Sequence, residues 1–205
     1  MTSPYPAALG SLLDELDPGL RAYFGELPPG HIGVGRGRFD VIGTPRRWLW
    51  PILRLVAAEG IATPTWQRDV EFTVYNRPVA GRRMQRAERQ VALRTGTWTM
   101  VDAIAAVGPR SVLVDDIGRN RRLRVVLAAS VVSGALVLRS TRVGLRIGGF
   151  RLRVPAIIAP RVHLTERFDT GRSQQHVSVE IDVPFIGRVY EYSGWFDYRY
   201  LREES

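Results

Sequence analysis

The 205-residue chain has a formal net charge of +9 and contains neither cysteine nor lysine, so its basic residues are arginines apart from three histidines. Disulfides, thiolate metal sites and cysteine nucleophiles are thereby excluded, as is Schiff-base chemistry on a lysine amine. With 45% hydrophobic residues and no Pro/Gly/Ser-rich linker, a single domain over 1–205 is expected, with a helical part over about 1–62 and a β part over about 66–200.

The opening MTSPYPAALGSLLDELDP shows no basic n-region and no apolar h-region. The longest apolar run, Val125 to Leu138, is shorter than the roughly 20 residues of a spanning helix. A cytoplasmic protein is expected. Leu12, Leu13, Leu16, Leu20 and Phe24 have helical spacing, with Ser11 as the expected N-cap and Pro18 as a break into two short helices.

The glycine-spaced HIGVGRGRFDVI reads as a strand. Its GVGRG lacks the third glycine of a dinucleotide fingerprint and no βαβ unit follows, so no nucleotide cofactor is expected. Thr44-Pro45 then opens a second predicted helix, with threonine as N-cap, Gly60 as stop and a bend at Pro51. Trp48, Leu49, Trp50, Ile52, Leu53 and Leu55 make it apolar on most sides. That composition fits a buried lid or plug, or an interfacial helix touching a membrane through the Trp48 to Leu55 segment with Arg46, Arg47 and Arg54 at the headgroups.

From Trp66 onward the pattern has period two. Strands are predicted over 67–77, 82–94, 98–107, 111–117, 121–131, 135–146, 149–154, 161–169, 174–183 and 187–198, separated by turn-forming stretches such as Gly108-Pro109, Ser133-Gly134 and Pro184 to Gly187. About ten consecutive strands at hairpin spacing imply a mainly β protein: an antiparallel meander forming a closed or half-open barrel, with the N-terminal helices at one end. A barrel of more than about eight strands tends to leave room for a ligand.

Arginines alternate with apolar residues in RLRV and RLRVP, as on the wet face of strands, so nucleic acid is not the expected partner. His31, His163 and His176 lie far apart with no chelating pair, and no metal site is expected. Asp115 and Asp116 are neighbours in a strand and point to opposite faces, which reads as a hairpin end with arginine partners.

Two other acids share a face with apolar residues: Asp102 with Trp98, Met100 and Ile104, and Glu166 with Val162, Leu164 and Phe168. A buried carboxylate must be hydrogen-bonded, paired or protonated. Each is therefore either the partner of an arginine or a general acid/base with a raised pKa. In the last strand Tyr190, Tyr192, Phe196 and Tyr198 fall on one face and Trp195 on the other, so this strand is covered on both sides. The reading that follows is a barrel binding a hydrophobic small molecule, with Asp102 and Glu166 as candidate acid/base residues. Tyr190 and Tyr192 are candidate hydrogen-bond donors, and Trp66, Trp98 and Trp195 candidate apolar walls. Proton transfer on a folded substrate, as in a cyclase or isomerase, needs no cofactor.

YPAALG, LDPGLRAYF, GVGRGRF, GGFRLRVPAIIAPRVHLTER and VPFIGRVYEYSGWF together resemble a bacterial domain family of unknown function, found alone or after a saccharopine-dehydrogenase-like NAD(P)-binding domain. RRMQRAERQV at Arg82 to Val91 departs from the tryptophan, arginine and phenylalanine expected there. The resemblance implies an alternative role, as a ligand carrier or accessory module of an NAD(P)-dependent oxidoreductase, and brings no catalytic residues with it.

Overall fold

The computed structural model describes residues 3–203. Helix α1 (Pro4–Leu9) is capped by Ser3, whose hydroxyl accepts the Tyr5 N–H. A 3-10 stretch (Gly10–Glu15) leads to α2 (Pro18–Phe24), where the Asp17 carboxylate accepts the Gly19 N–H at 2.9 Å. Pro18 does start a new helix, because its fixed φ suits the first turn. Ser11 is no cap, since it lies inside the 3-10 stretch.

Between the strands, a 3-10 turn (Arg47–Leu49) precedes α3 (Trp50–Ala57). The helix thus starts later than Thr44, and Pro51 sits in its first turn, where it causes no bend. Among the described residues no helix is long and apolar enough to cross a membrane. All three helices are too short to persist alone in water, so what they pack against holds them.

The strands are β1 (His31–Gly43), β2 (Trp66–Gln67), β3 (Val70–Pro78), β4 (Met84–Leu93), β5 (Gly96–Val107), β6 (Val112–Ile117), β7 (Leu123–Val132), β8 (Ala135–Ile147), β9 (Phe150–Arg153), β10 (Arg161–Asp169), β11 (Gln174–Val183) and β12 (Gly187–Arg202). Neighbours pair antiparallel in the order β10-β11-β12-β1-β3-β4-β5-β6-β7-β8. β10 also pairs with β8, from His163 opposite Arg139 to Glu166 opposite Leu136, which closes a ten-stranded barrel. β2 lies on β1 and β9 on β8, outside this ring. Closure removes the exposed edges that an open sheet of this size would present.

β1 is the seam strand, between β12 and β3. Its alternate glycines face inward for steric reasons: a Cβ on Gly33 would fall 1.5 Å from the Tyr198 hydroxyl, and one on Gly37 1.9 Å from the Trp195 carbonyl oxygen. The glycine spacing thus serves close backbone approach. Opposite Phe39, where the β1–β12 register shifts, stands Gly194.

The N-terminal helices plug one end. Leu9, Leu16, Leu20 and Phe24 are buried with Ile104, Leu113, Leu127, Leu136 and Leu138 of β5 to β8. Buried Asn76 of β3 donates to the hydroxyls of Tyr23 and Tyr198, both at 3.4 Å, tying α2 to the wall. At the other end α3 forms a lid hung from one side. The Trp98 indole N–H donates to the Ala57 carbonyl at 3.0 Å, satisfying a last-turn oxygen. The Val101 N–H bonds the Gly60 carbonyl, and Glu59 meets Asn120 and Arg122.

A Cβ on Gly194 would lie 2.1 Å from the Arg38 carbonyl oxygen and 2.6 Å from the Phe39 Cα, both backbone atoms. Gly194→Ala should therefore lower the urea-unfolding free energy by about 1–3 kcal/mol. An unchanged midpoint would contradict the close β1–β12 approach.

Candidate functional site

Under the lid the barrel holds a cavity of about 410 Å³. Its walls are apolar and come from nearly every strand: Met100, Ile117, Val125, Leu127, Val143, Val162, Leu164, Val179 and Ile181 among others, with Leu49, Ile52, Leu53 and Val56 of α3 above. Its polar lining is confined to Arg89, Asp102, Asp115, Tyr190 and Tyr192.

Strand parity puts these groups inside. On β4, Arg89 alternates with buried Ala87 and Val91. On β5, Asp102 stands two residues before Ile104 of the plug core. On β6, Asp115 lies between Leu113 and Ile117, paired in register with Ile104 and Val125. Glu166 on β10, opposite Leu136 and Val177, lies deeper, toward the plug. A polar layer therefore separates the open part of the barrel from the helical plug, and Tyr5 of α1 reaches it from below.

The charges in this layer do not balance. The Arg89 guanidinium donates to the Asp102 carboxylate, and among the described residues this is the one salt bridge in the layer. Asp115 Oδ1 and Glu166 Oε2 are buried without a hydrogen-bond partner. Burial pushes Glu166 up from the ordinary 4.5 to about 8, with Arg89 pulling it down. Burial also pushes Asp115 well above the usual carboxylate range, reinforced by the negative charge of Asp102 and opposed by Arg89. Tyr5 is raised by burial and then by the charges of Glu166, Asp102 and Asp115. Tyr192 is pushed up to about 12 by burial, with Arg89 opposing. The Tyr190 hydroxyl accepts the Thr63 N–H at 3.5 Å. A lone buried ion costs several kcal/mol, so burial favours the neutral form of both Asp115 and Glu166.

Of the residues singled out in the sequence, Asp102, Tyr190 and Tyr192 border the cavity and Glu166 lies below it. The three tryptophans stand elsewhere. Trp195 faces outward on β12, under the guanidiniums of Arg167 at 4.8 Å and Arg172 at 4.4 Å. Trp98 is half-buried behind the hinge side of the lid, and Trp66 sits in the two-residue β2 at the sheet margin. The apolar walls are aliphatic instead. Arg89 carries no signal in the sequence, and Asp115 reads there with Asp116 as a hairpin end with arginine partners. The pair Asp115-Asp116 held the clue: Asp116 does face outward to a bidentate Arg124, at 2.6 and 2.7 Å, so its neighbour must face in.

A family model described as a domain of unknown function (DUF4166) matches residues 16–196. The chain belongs to this family. The DUF4166 match contains Arg89, Asp102, Asp115 and Glu166, together with all the residues that line the cavity, and begins after α1 with its Tyr5. No curated protein and no solved structure matches the chain.

In the fold Glu166 keeps its proton up to about pH 8, whereas in the unfolded chain it loses it near 4.5. Its contribution favours the fold below the unfolded value and is lost as pH rises through about 8. Glu166→Gln, neutral throughout, should abolish that loss. From about pH 5 to about pH 9 the wild-type unfolding free energy should fall by up to roughly 5 kcal/mol more than the variant's. Parallel pH profiles would show that Glu166 ionises freely.

Proposed function

We propose that the barrel binds a hydrophobic small molecule in its lumen and moves protons on it, as a cofactor-independent cyclase or isomerase in bacterial natural-product biosynthesis. The observation that carries this reading is the floor of the cavity: Asp115, buried with one oxygen unpaired, stands beside the Arg89–Asp102 pair under aliphatic walls. The volume falls within the roughly 300–1,000 Å³ of small-molecule sites. An apolar enclosure with a few convergent polar groups selects a mostly apolar ligand and orients its one polar end downward.

Neutral Asp115 donates a proton to an atom of the bound molecule, and its carboxylate, or that of Asp102, takes one from another atom. The ligand then changes connectivity or double-bond position without changing composition. Arg89 offers a fixed positive charge to oxygen that turns negative on the way, and fixed charges act strongly where water is excluded. Glu166 and Tyr5, one layer deeper, hold protons next to this pair. Tyr190 and Tyr192 present their hydroxyls from the wall.

A second reading rests on the closure of Asp102 onto Arg89, which satisfies both charges within the protein. In that case the acids set the fold and the barrel carries a ligand, alone or for an NAD(P)-dependent oxidoreductase.

Mass spectrometry of an organic extract of the native protein, purified from producing cells, would identify the occupant. Catalysis predicts that this compound or its precursor is converted, and that Asp115→Asn slows conversion by about 100-fold or more, with Glu166→Gln, below the cavity, slowing it less. Val179→Trp, which fills the lumen, should abolish Nile red binding. Recovery of one unchanged compound, with conversion unaffected by the acid substitutions, would favour the carrier. Nile red binding unaffected by Val179→Trp would contradict both.

A further inference from the structure

The cavity opens where lining residues are also exposed: Ile52 of α3 and Ile186 of the β11–β12 turn. The two elements meet there, with the Arg46 guanidinium 3.6 Å from where a Cβ on Gly187 would sit. The rim they form is unusually apolar. Leu55 is 79% exposed and Phe185 92%. Phe185 follows Pro184 in a turn closed by the Ile186 N–H to the Val183 carbonyl, with its own φ at +66°, a conformation suited to glycine. An aromatic ring held in solvent from a strained turn position is the kind of outlier that marks function.

Two further elements project at the same end. Leu123, which lines the cavity, pairs with Leu145, and beyond it the β8–β9 hairpin carries exposed Phe150 with Arg151 and Arg153. The loop that ends at Pro160 in the lining exposes Ile157 and Ile158. Arg46, Arg47 and Arg54 make no salt bridge among the described residues, whereas the acids beside the Phe185 turn, Glu180, Asp182 and Glu191, are all held by Arg188. Apolar side chains flanked by unpaired arginines match a bilayer with anionic headgroups, the former entering the acyl boundary and the latter staying at the phosphates.

The geometry points to a membrane-docking mouth: the lid end of the barrel seats on an anionic lipid surface and takes its lumenal ligand from, or returns it to, the bilayer. The route for the ligand rests on the cavity reading above; the docking itself does not. Ligand exchange then occurs where an apolar molecule is most concentrated.

Co-sedimentation with vesicles of phosphatidylcholine and phosphatidylglycerol tests the docking. Wild type should pellet with them, and should do so less with phosphatidylcholine alone or in high salt. The exposed double substitution Leu55→Ser, Phe185→Ser should lose at least about tenfold in affinity, and Arg→Gln at Arg46, Arg47 and Arg54 about fivefold each, with thermal unfolding and Nile red binding unchanged. Val179→Trp, filled but with an intact rim, should still pellet, which separates docking from occupancy. Failure of wild type to pellet, or pelleting unaffected by the Leu55 and Phe185 substitutions, would overturn the proposal. So would a stable dimer in sedimentation velocity that Phe185→Ser dissociates, since the rim would then be a contact between copies.

Discussion

Inside the barrel one guanidinium faces three carboxyls. Arg89 answers Asp102, and the low-dielectric interior cannot supply a second and third cation to Asp115 and Glu166. Keeping both charged would cost several kcal/mol each, so the imbalance favours the protonated form of each. Much of the site's character follows. Two acids pushed toward the neutral form stand beside a fixed ion pair, and the same imbalance should make the fold sensitive to alkaline pH. Buried ionisable groups of this kind are weak contributors to stability, and well-packed apolar residues often replace them without loss.

The barrel's closure sets where this layer can act. The helical plug seals the end nearest Glu166 with leucines and Phe24, so access to the floor comes from the lid side. There α3 is fixed by Trp98, Gly60 and Glu59 along β5 to β7. On the opposite side its apolar residues line the cavity or stand in solvent. One end is therefore sealed by the plug, and the other carries the cavity under its lid.

Much of this architecture was legible in the sequence because strand parity is a strong signal. The ten predicted strands and the strand character of HIGVGRGRFDVI follow from alternation and turn residues, and a closed or half-open barrel follows from their number; the β10–β8 pairing decides for closure. The same parity puts Asp102 and Glu166 on apolar, inward faces, and Tyr190 and Tyr192 together on one face of a strand covered on both sides. Asp115 was read with Asp116 as a hairpin end, although alternation requires one of two adjacent acids to face inward. Arg89 was hidden because arginine is common in this chain and its β4 neighbours Glu88 and Gln90 are polar. The lid helix could not be resolved into burial or exposure from composition alone, since an apolar helix looks the same over a core and over a mouth. The tryptophans misled for a related reason: large aromatic rings suggest cavity walls, yet Trp195 is stabilised outside by two arginines.

The central claim is that the interior acids outnumber the charge available to hold them ionised. Carbon-13 NMR of the side-chain carboxyls, followed through a pH titration, reads this directly. The account predicts that Glu166 titrates near 8 and Asp115 well above the usual carboxylate range. Replacing Arg89 with methionine should raise both further, since its positive charge pulls each of them down. Interior carboxyls that all titrate in the ordinary acidic range, indifferent to Arg89, would contradict it.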